Sequence, residues 1–157
     1  MEQAAFSWSE VADHLMRLGV AFLLALPLGL DRESQERGPG LRTFPLVAIG
    51  SCAFLLIGRS ALGEEGQYYI LYGLMTGIGF IGGGSILKER GSISGTATAA
   101  SIWNTGAIGA GVAWQRYEIA LALALVNFAV LRFGTSAKTL VSKNGSAEGS
   151  PSKDAEK

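Results

Sequence analysis

One cysteine, one histidine and four prolines in 157 residues leave little material for redox, metal or nucleophilic chemistry. Cys52 sits inside an apolar run and has no second cysteine with which to close an intramolecular disulfide. His14 lies in an acidic stretch with no other histidine, so neither a His-based metal cluster nor a Ser-His-Asp arrangement can be assembled, and no catalysis is expected. Lys and Arg number 13, as do Asp and Glu, and this balance removes the basic excess that nucleic-acid binding requires. Met1 to Asp13 carries Glu2, Glu10 and Asp13 but no Lys or Arg, which argues against a cleaved signal peptide. The first apolar run is therefore read as retained.

What the chain does have is apolar runs of membrane-spanning length, separated by short charged clusters. The fold class expected is all-α: a polytopic bundle of about five transmembrane helices. The spans are read at Leu15 to Leu30 (broken by Pro27, with a start as early as Val11), Phe44 to Leu62, Tyr68 to Leu87, Ala97 to Trp114 and Tyr117 to Phe133. Residues 1–14 form an outer segment, 15–134 the membrane domain and 135–157 a polar, disordered cytoplasmic tail. Most spans barely reach the roughly 20 residues needed to cross about 30 Å of hydrocarbon. The fourth is the least apolar and would insert only beside neighbours. With the N-terminus outside, ten of the thirteen basic residues fall inside and only Arg17, Arg59 and Arg116 outside, which favours N-out, C-in.

Two polar loops then meet the cytoplasm. The first holds Asp31, Arg32 and Glu33, followed by Gly38-Pro39-Gly40 and by Arg42 and Thr43. Carboxylates at a helix C-terminus need a cationic partner, with Arg32, Arg37 and Arg42 as candidates. This is either a solvated ion-pair cluster at the membrane border or a site for a cation, in which case Asp31 and Glu33 would be the metal ligands. The second loop carries Lys88, Thr96 and Thr98, where Ser and Thr are natural N-caps for the fourth helix. Along that helix Thr98, Ser101 and Thr105 share a face with Asn104 beside them. Interhelical hydrogen bonding is the commoner use of such a stripe, and a conduction path the rarer one. Gly73, Gly77, Gly79 and Gly83 on the third span, and Gly106 on the fourth, are expected to pack helices closely. No Asp, Glu or Lys lies near the middle of any span, which weighs against a proton-coupled carrier or a carboxylate-lined pore.

Two enzyme-like motifs do not hold up. Gly77-Ile78-Gly79-Phe80-Ile81-Gly82 matches G-x-G-x-x-G but lies in a hydrophobic span rather than a strand–turn–helix. Ser85-Ile86-Leu87-Lys88 matches S-x-x-K, without the S-D-N and K-T-G elements that give that motif meaning.

The segments LGLDRE, GPGLRTFPLVAIG and GIGFIGGGSILKERGSISGTATAASIWNTGAIGAG, in that order, closely resemble the MgtC/SapB family of bacterial membrane proteins. The likeness covers about Leu15 to Phe133. It implies a multi-pass protein of the bacterial inner membrane tied to magnesium limitation and, in some members, to survival inside host cells. The best-known member looks like a regulator of other membrane machines, such as the F-type ATP synthase. By position, the family's polar signature falls on Asp31, Arg32, Glu33, Arg42, Thr43, Lys88, Thr96, Thr98 and Trp103. Some members add a C-terminal domain of the ACT type, whereas here only the polar tail follows.

These readings lead to a non-catalytic membrane regulator in magnesium homeostasis or low-magnesium and acid stress. Its partners would be the lipid bilayer, other inner-membrane proteins (an F-type ATP synthase or a P-type ATPase) and a second copy in a homodimer. The rival is a transporter or channel for Mg²⁺ or another small ion. No cofactor is expected, and Mg²⁺ is the candidate if an ion is held. A lipid-binding scaffold that meets anionic headgroups through Lys88, Arg90 and Arg132 is a third reading.

Overall fold

The computed structural model describes residues 7–34, 39–89 and 92–147, and within these the side chains of Glu64, Glu89 and 135–147 are not described. Helix α1 spans Trp8–Ser34, α2 Thr43–Gly83, α3 Thr96–Ala113 and α4 Tyr117–Ala147. Strands β1 (Leu87–Glu89) and β2 (Ser92–Ser94) form an antiparallel hairpin ahead of α3, with Leu87 opposite Ser94 and Lys88 opposite Ile93.

α1 starts earlier and ends later than the apolar run implies. Glu10 in its first turn meets the positive end of the helix, so the acidic stretch joins the helix instead of preceding it. Arg17, Ala21, Ala25, Leu28 and Arg32 recur at helical spacing and are buried, while Leu23 and Leu30 between them face outward. Asp31, Arg32 and Glu33 therefore belong to the last turns of α1 and not to a loop.

α2 is two helices joined at Gly63, whose φ of 67° and ψ of −163° only glycine adopts without strain. There the chain turns back, and the second limb (64–83) runs along the first (Thr43–Gly63). Gly58 packs on Ile70, where a Cβ would collide with that side chain. Counting the limbs separately gives the five helices expected. The second limb stops at Gly83, short of the predicted Leu87. Three successive glycines (82–84) disfavour the helix through backbone entropy, and the polar residues that follow pair as the β-hairpin.

α3 is the most enclosed helix, with Thr98, Ser101, Ile102, Thr105, Ile108 and Val112 among its buried residues. Both limbs of α2 and helix α4 pack on it: Gly109 lies against the Ala48 carbonyl, Gly106 against Ile78 and Gly111 beside Ala120. Its C-terminus is a Schellman turn. Gln115 takes the left-handed φ of 60°, its N–H donates to Val112 O at 3.0 Å, and the Arg116 N–H donates to Gly111 O at 2.8 Å.

α4 continues through Ala147, so residues 135–147 are helical where a disordered tail was expected; 148–157 lie outside the described residues. Extending an existing helix fixes one residue per hydrogen bond and avoids the nucleation cost, and no proline intervenes before Pro151.

The distribution of side chains is that of a bundle in lipid. Ala, Gly, Ser and Thr fill the interior, while Phe54, Ile57, Leu125 and Val126 face outward and Phe80 is 86% exposed. A soluble monomer rarely exposes apolar area on this scale. Among the described residues, Trp8–Ser34, Thr43–Gly63 and Tyr117–Gly134 are long and apolar enough to cross a membrane by themselves. The second limb of α2 and α3 are not. For α3 its neighbours supply the apolar surround that its own residues lack.

Candidate functional site

Helix alternation gathers at one end of the bundle the C-terminus of α1, the start of α2, the β-hairpin and the N-terminus of α3. Gly29 abuts Leu41 and Gly82 abuts the Ala99 carbonyl, which joins each helix end to the next. Thr43 at the start of α2 lines one cleft with Phe80 and Ile81 near the end of its second limb, which brings the two regions together. The two polar loops predicted to share a face therefore do so.

Within that end the acidic pair is divided. Asp31 Oδ2 lies 3.1 Å from Arg32 Nη2, both side chains being about 5% exposed, and the same Nη2 donates to Leu131 O on α4 at 3.3 Å. Arg32 thus supplies the cation that Asp31 needs and ties α1 to α4. Glu33 turns the other way and accepts the Leu41 N–H at 3.0 Å, closing the connection to α2 against Gly40. Among the described residues no three His, Cys, Asp or Glu gather as a metal would require.

The other expected residues sit nearby with different surroundings. Arg42 is exposed as the N-cap of α2, and Thr43 opens the helix. Lys88 is exposed on β1 and Thr96 is the exposed first residue of α3. Arg37 and Arg90 lie outside the described residues. The predicted Ser or Thr cap of α3 is absent. Gly95 is the N-cap, at φ 82° and with no side-chain cap bond, because a Cβ there would strike the Ser85 carbonyl.

Behind this end runs a buried seam between α3 and α4. Ser101 Oγ donates to Asn127 Oδ1 at 2.8 Å, Asn127 Nδ2 donates back to Ser101 O at 3.3 Å, and Thr105 Oγ1 donates to Ser101 O at 2.8 Å. Thr98, Ser101, Thr105 and Asn127 are all buried, Asn104 is half-buried and Trp103 is turned outward. Of the predicted stripe, Thr105 thus bonds back within α3, while Ser101 makes the hydrogen-bonded contact between helices. Sequence reasoning missed its partner: Asn127 is an isolated amide in the apolar run of α4, the kind of polar residue that marks a helix contact in lipid.

It also passed over Arg17. This guanidinium is buried, with Nε 2.8 Å from Asp13 Oδ2 one turn earlier and Nη1 donating to Ala113 O at the end of α3 at 3.1 Å. A cation at a helix C-terminus meets its negative end. The (i, i+4) spacing of Asp13 and Arg17 was the available signal.

The glycines divide unexpectedly. Gly106 packs as predicted, but nothing lies within 4 Å of a Cβ placed at Gly73, Gly77, Gly79 or Gly83. Besides Gly106, close packing falls to glycines outside the predicted set, among them Gly29, Gly58, Gly82 and Gly109.

The model of the MgtC family matches residues 18–140, the whole bundle from α1 into α4. The chain belongs to the MgtC family. With its several apolar helices, it is a multi-pass bacterial membrane protein. It is 40% identical over 102 residues to the uncharacterized protein slr0014 of Synechocystis sp., which covers 65% of this chain and 42% of that protein. It is 35% identical to Protein MgtC of Brucella abortus over 102 residues, 65% of this chain and 43% of the relative. It is 31% identical to the putative magnesium transporter YhiD of Escherichia coli K12 over 128 residues, 76% of this chain and 60% of that one. The chain spans about half the length of the curated relatives it matches. No solved structure matches.

Proposed function

We propose that this MgtC-family chain is a non-catalytic regulator in magnesium homeostasis, acting in the bacterial inner membrane through contacts with other membrane proteins. The name of one relative, the putative magnesium transporter YhiD, supplies the magnesium link. The observation that carries the regulatory reading is the α3–α4 seam: of the hydroxyls that could line an ion path, Ser101 is bonded to Asn127 and Thr105 to the Ser101 carbonyl, and both are buried. Asp31 already faces a guanidinium, which opposes a second cation at the same carboxylate. The open faces of Gly73 and Gly77 offer close approach to a partner's helix, either a second copy or a larger machine such as an F-type ATP synthase or a P-type ATPase.

The test is flux. Purified protein in liposomes loaded with a Mg²⁺-sensitive dye should admit Mg²⁺ no faster than empty liposomes. Mg²⁺ entry that Asp31→Asn or Thr98→Val abolishes would establish the transporter instead.

A further inference from the structure

A second feature lies away from the polar end. A cleft of about 270 Å³ opens between α3, the second limb of α2 and α4. Its walls are almost wholly apolar, with Trp103 and Ala107 on α3 and Trp114 at its C-cap facing Leu74 and Leu123. One charged residue joins the lining, Arg116, at the rim beside Trp114.

We propose that this cleft holds one acyl chain of an anionic phospholipid, with the Arg116 guanidinium taking the phosphate. The dimensions fit a single leaflet. From Trp103 to the C-cap Trp114 is eleven residue steps along α3, about 16 Å at 1.5 Å per residue, close to half of the roughly 30 Å hydrocarbon core. The cleft thus runs from headgroup depth to the middle of the bilayer. Trp114 marks the headgroup end: its indole N–H donates to Gln67 at 2.7 Å on an exposed surface, the position amphipathic rings take at a membrane interface. The Schellman turn places Arg116 at that level, since its own N–H is tied back to Gly111. Charge selects the occupant: an apolar slot with a lone cation at its mouth complements a chain that ends in a phosphate. The larger cleft between the two limbs of α2, about 810 Å³, has no charged residue in its lining and shows no such selection.

The experiment uses the full chain with Trp8→Phe, so that Trp103 and Trp114 report alone. Their fluorescence is titrated with dibrominated phosphatidylglycerol and, separately, dibrominated phosphatidylcholine in detergent. Half-quenching by phosphatidylglycerol is expected at about fivefold lower mole ratio, equivalent to about 1 kcal/mol for one interfacial cation. Arg116→Gln should bring the two curves together. Ala107→Phe, which fills the slot, should remove the early quenching by both lipids while far-UV helicity stays unchanged. If Ala107→Phe does not retain its helicity, Ala107→Leu makes the same test with a smaller side chain. Equal quenching by the two lipids, a preference that survives Arg116→Gln, or early quenching that survives a folded filling variant would each overturn the proposal. So would a photocrosslinker at position 107 that captures a protein in native membranes instead of phospholipid.

Discussion

The seam between α3 and α4 allows a stability prediction whose internal asymmetry comes from the geometry. Asn127 makes two bonds to Ser101, accepting from its hydroxyl at 2.8 Å and donating to its backbone carbonyl at 3.3 Å. Asn127→Ala removes both; Ser101→Ala removes only the first, because the carbonyl survives. Interhelical hydrogen bonds in membranes average about 0.6 kcal/mol and reach about 1.7. Asn127→Ala is therefore expected to cost about 1–2 kcal/mol and Ser101→Ala about half of that. The orphaned Ser101 hydroxyl has a fallback, the carbonyl one turn back, which is the bond that Ser51 makes to Val47 O at 2.7 Å. This keeps the Asn127→Ala cost from rising further. In the double mutant the effects should fall short of additive by about 0.6 kcal/mol, the worth of the shared bond. Unfolding in bicelles, followed by steric trapping, reads all three values. Equal costs for the two single variants, or strict additivity, would refute the account of the seam. A change in ion flux with no change in stability would point back to a conduction path.

Glycine positions offer a second contrast. Gly109→Val places a side chain against the Ala48 carbonyl and Ser51 Cβ, the latter 2.8 Å from the new Cβ, and should destabilise by about 1–3 kcal/mol in the same unfolding assay. Gly73→Ala meets nothing within 4 Å and should be neutral or stabilising by about 0.5–1 kcal/mol through helix propensity. Loss of a crosslinked partner in native membranes, with stability kept, would locate a docking face there. Arg17→Met should cost about 1–3 kcal/mol because it removes the donor to Ala113 O at the end of α3. Asp13→Asn should cost under about 1 kcal/mol, since that carboxylate is 40% exposed and its pairing is screened. Equal losses at Arg17 and Asp13 would place the energy in the ion pair instead of the helix end.

Much of the architecture is legible in the one-dimensional pattern. Apolar runs separated by charged clusters mark five helices, because a bilayer forces backbone groups to bond within each span. Alternating direction then sends Asp31 and Thr96 to the same end without any knowledge of packing. The three segments that resemble the MgtC/SapB family are likewise a property of residue order, and the family match over residues 18–140 agrees with them.

What only the tertiary structure decided are matters of partner and depth. Periodicity placed Ser101 and Thr105 on one face of α3, but a face does not name what it meets; Asn127 is 26 residues away, brought there by the rotation and register of α4. Gly95 caps α3 because Ser85 passes close behind it, a contact made by a chain segment folding back, and neighbouring Ser and Thr residues could not announce it. The glycines show the same limit: small residues permit close approach everywhere, yet within the chain it occurs at Gly106 and Gly109 and not at Gly73 or Gly77. Helical periodicity is a one-body property, readable along a single chain segment. Register, crossing and close contact are set by two surfaces together, and they exist only once the helices have packed.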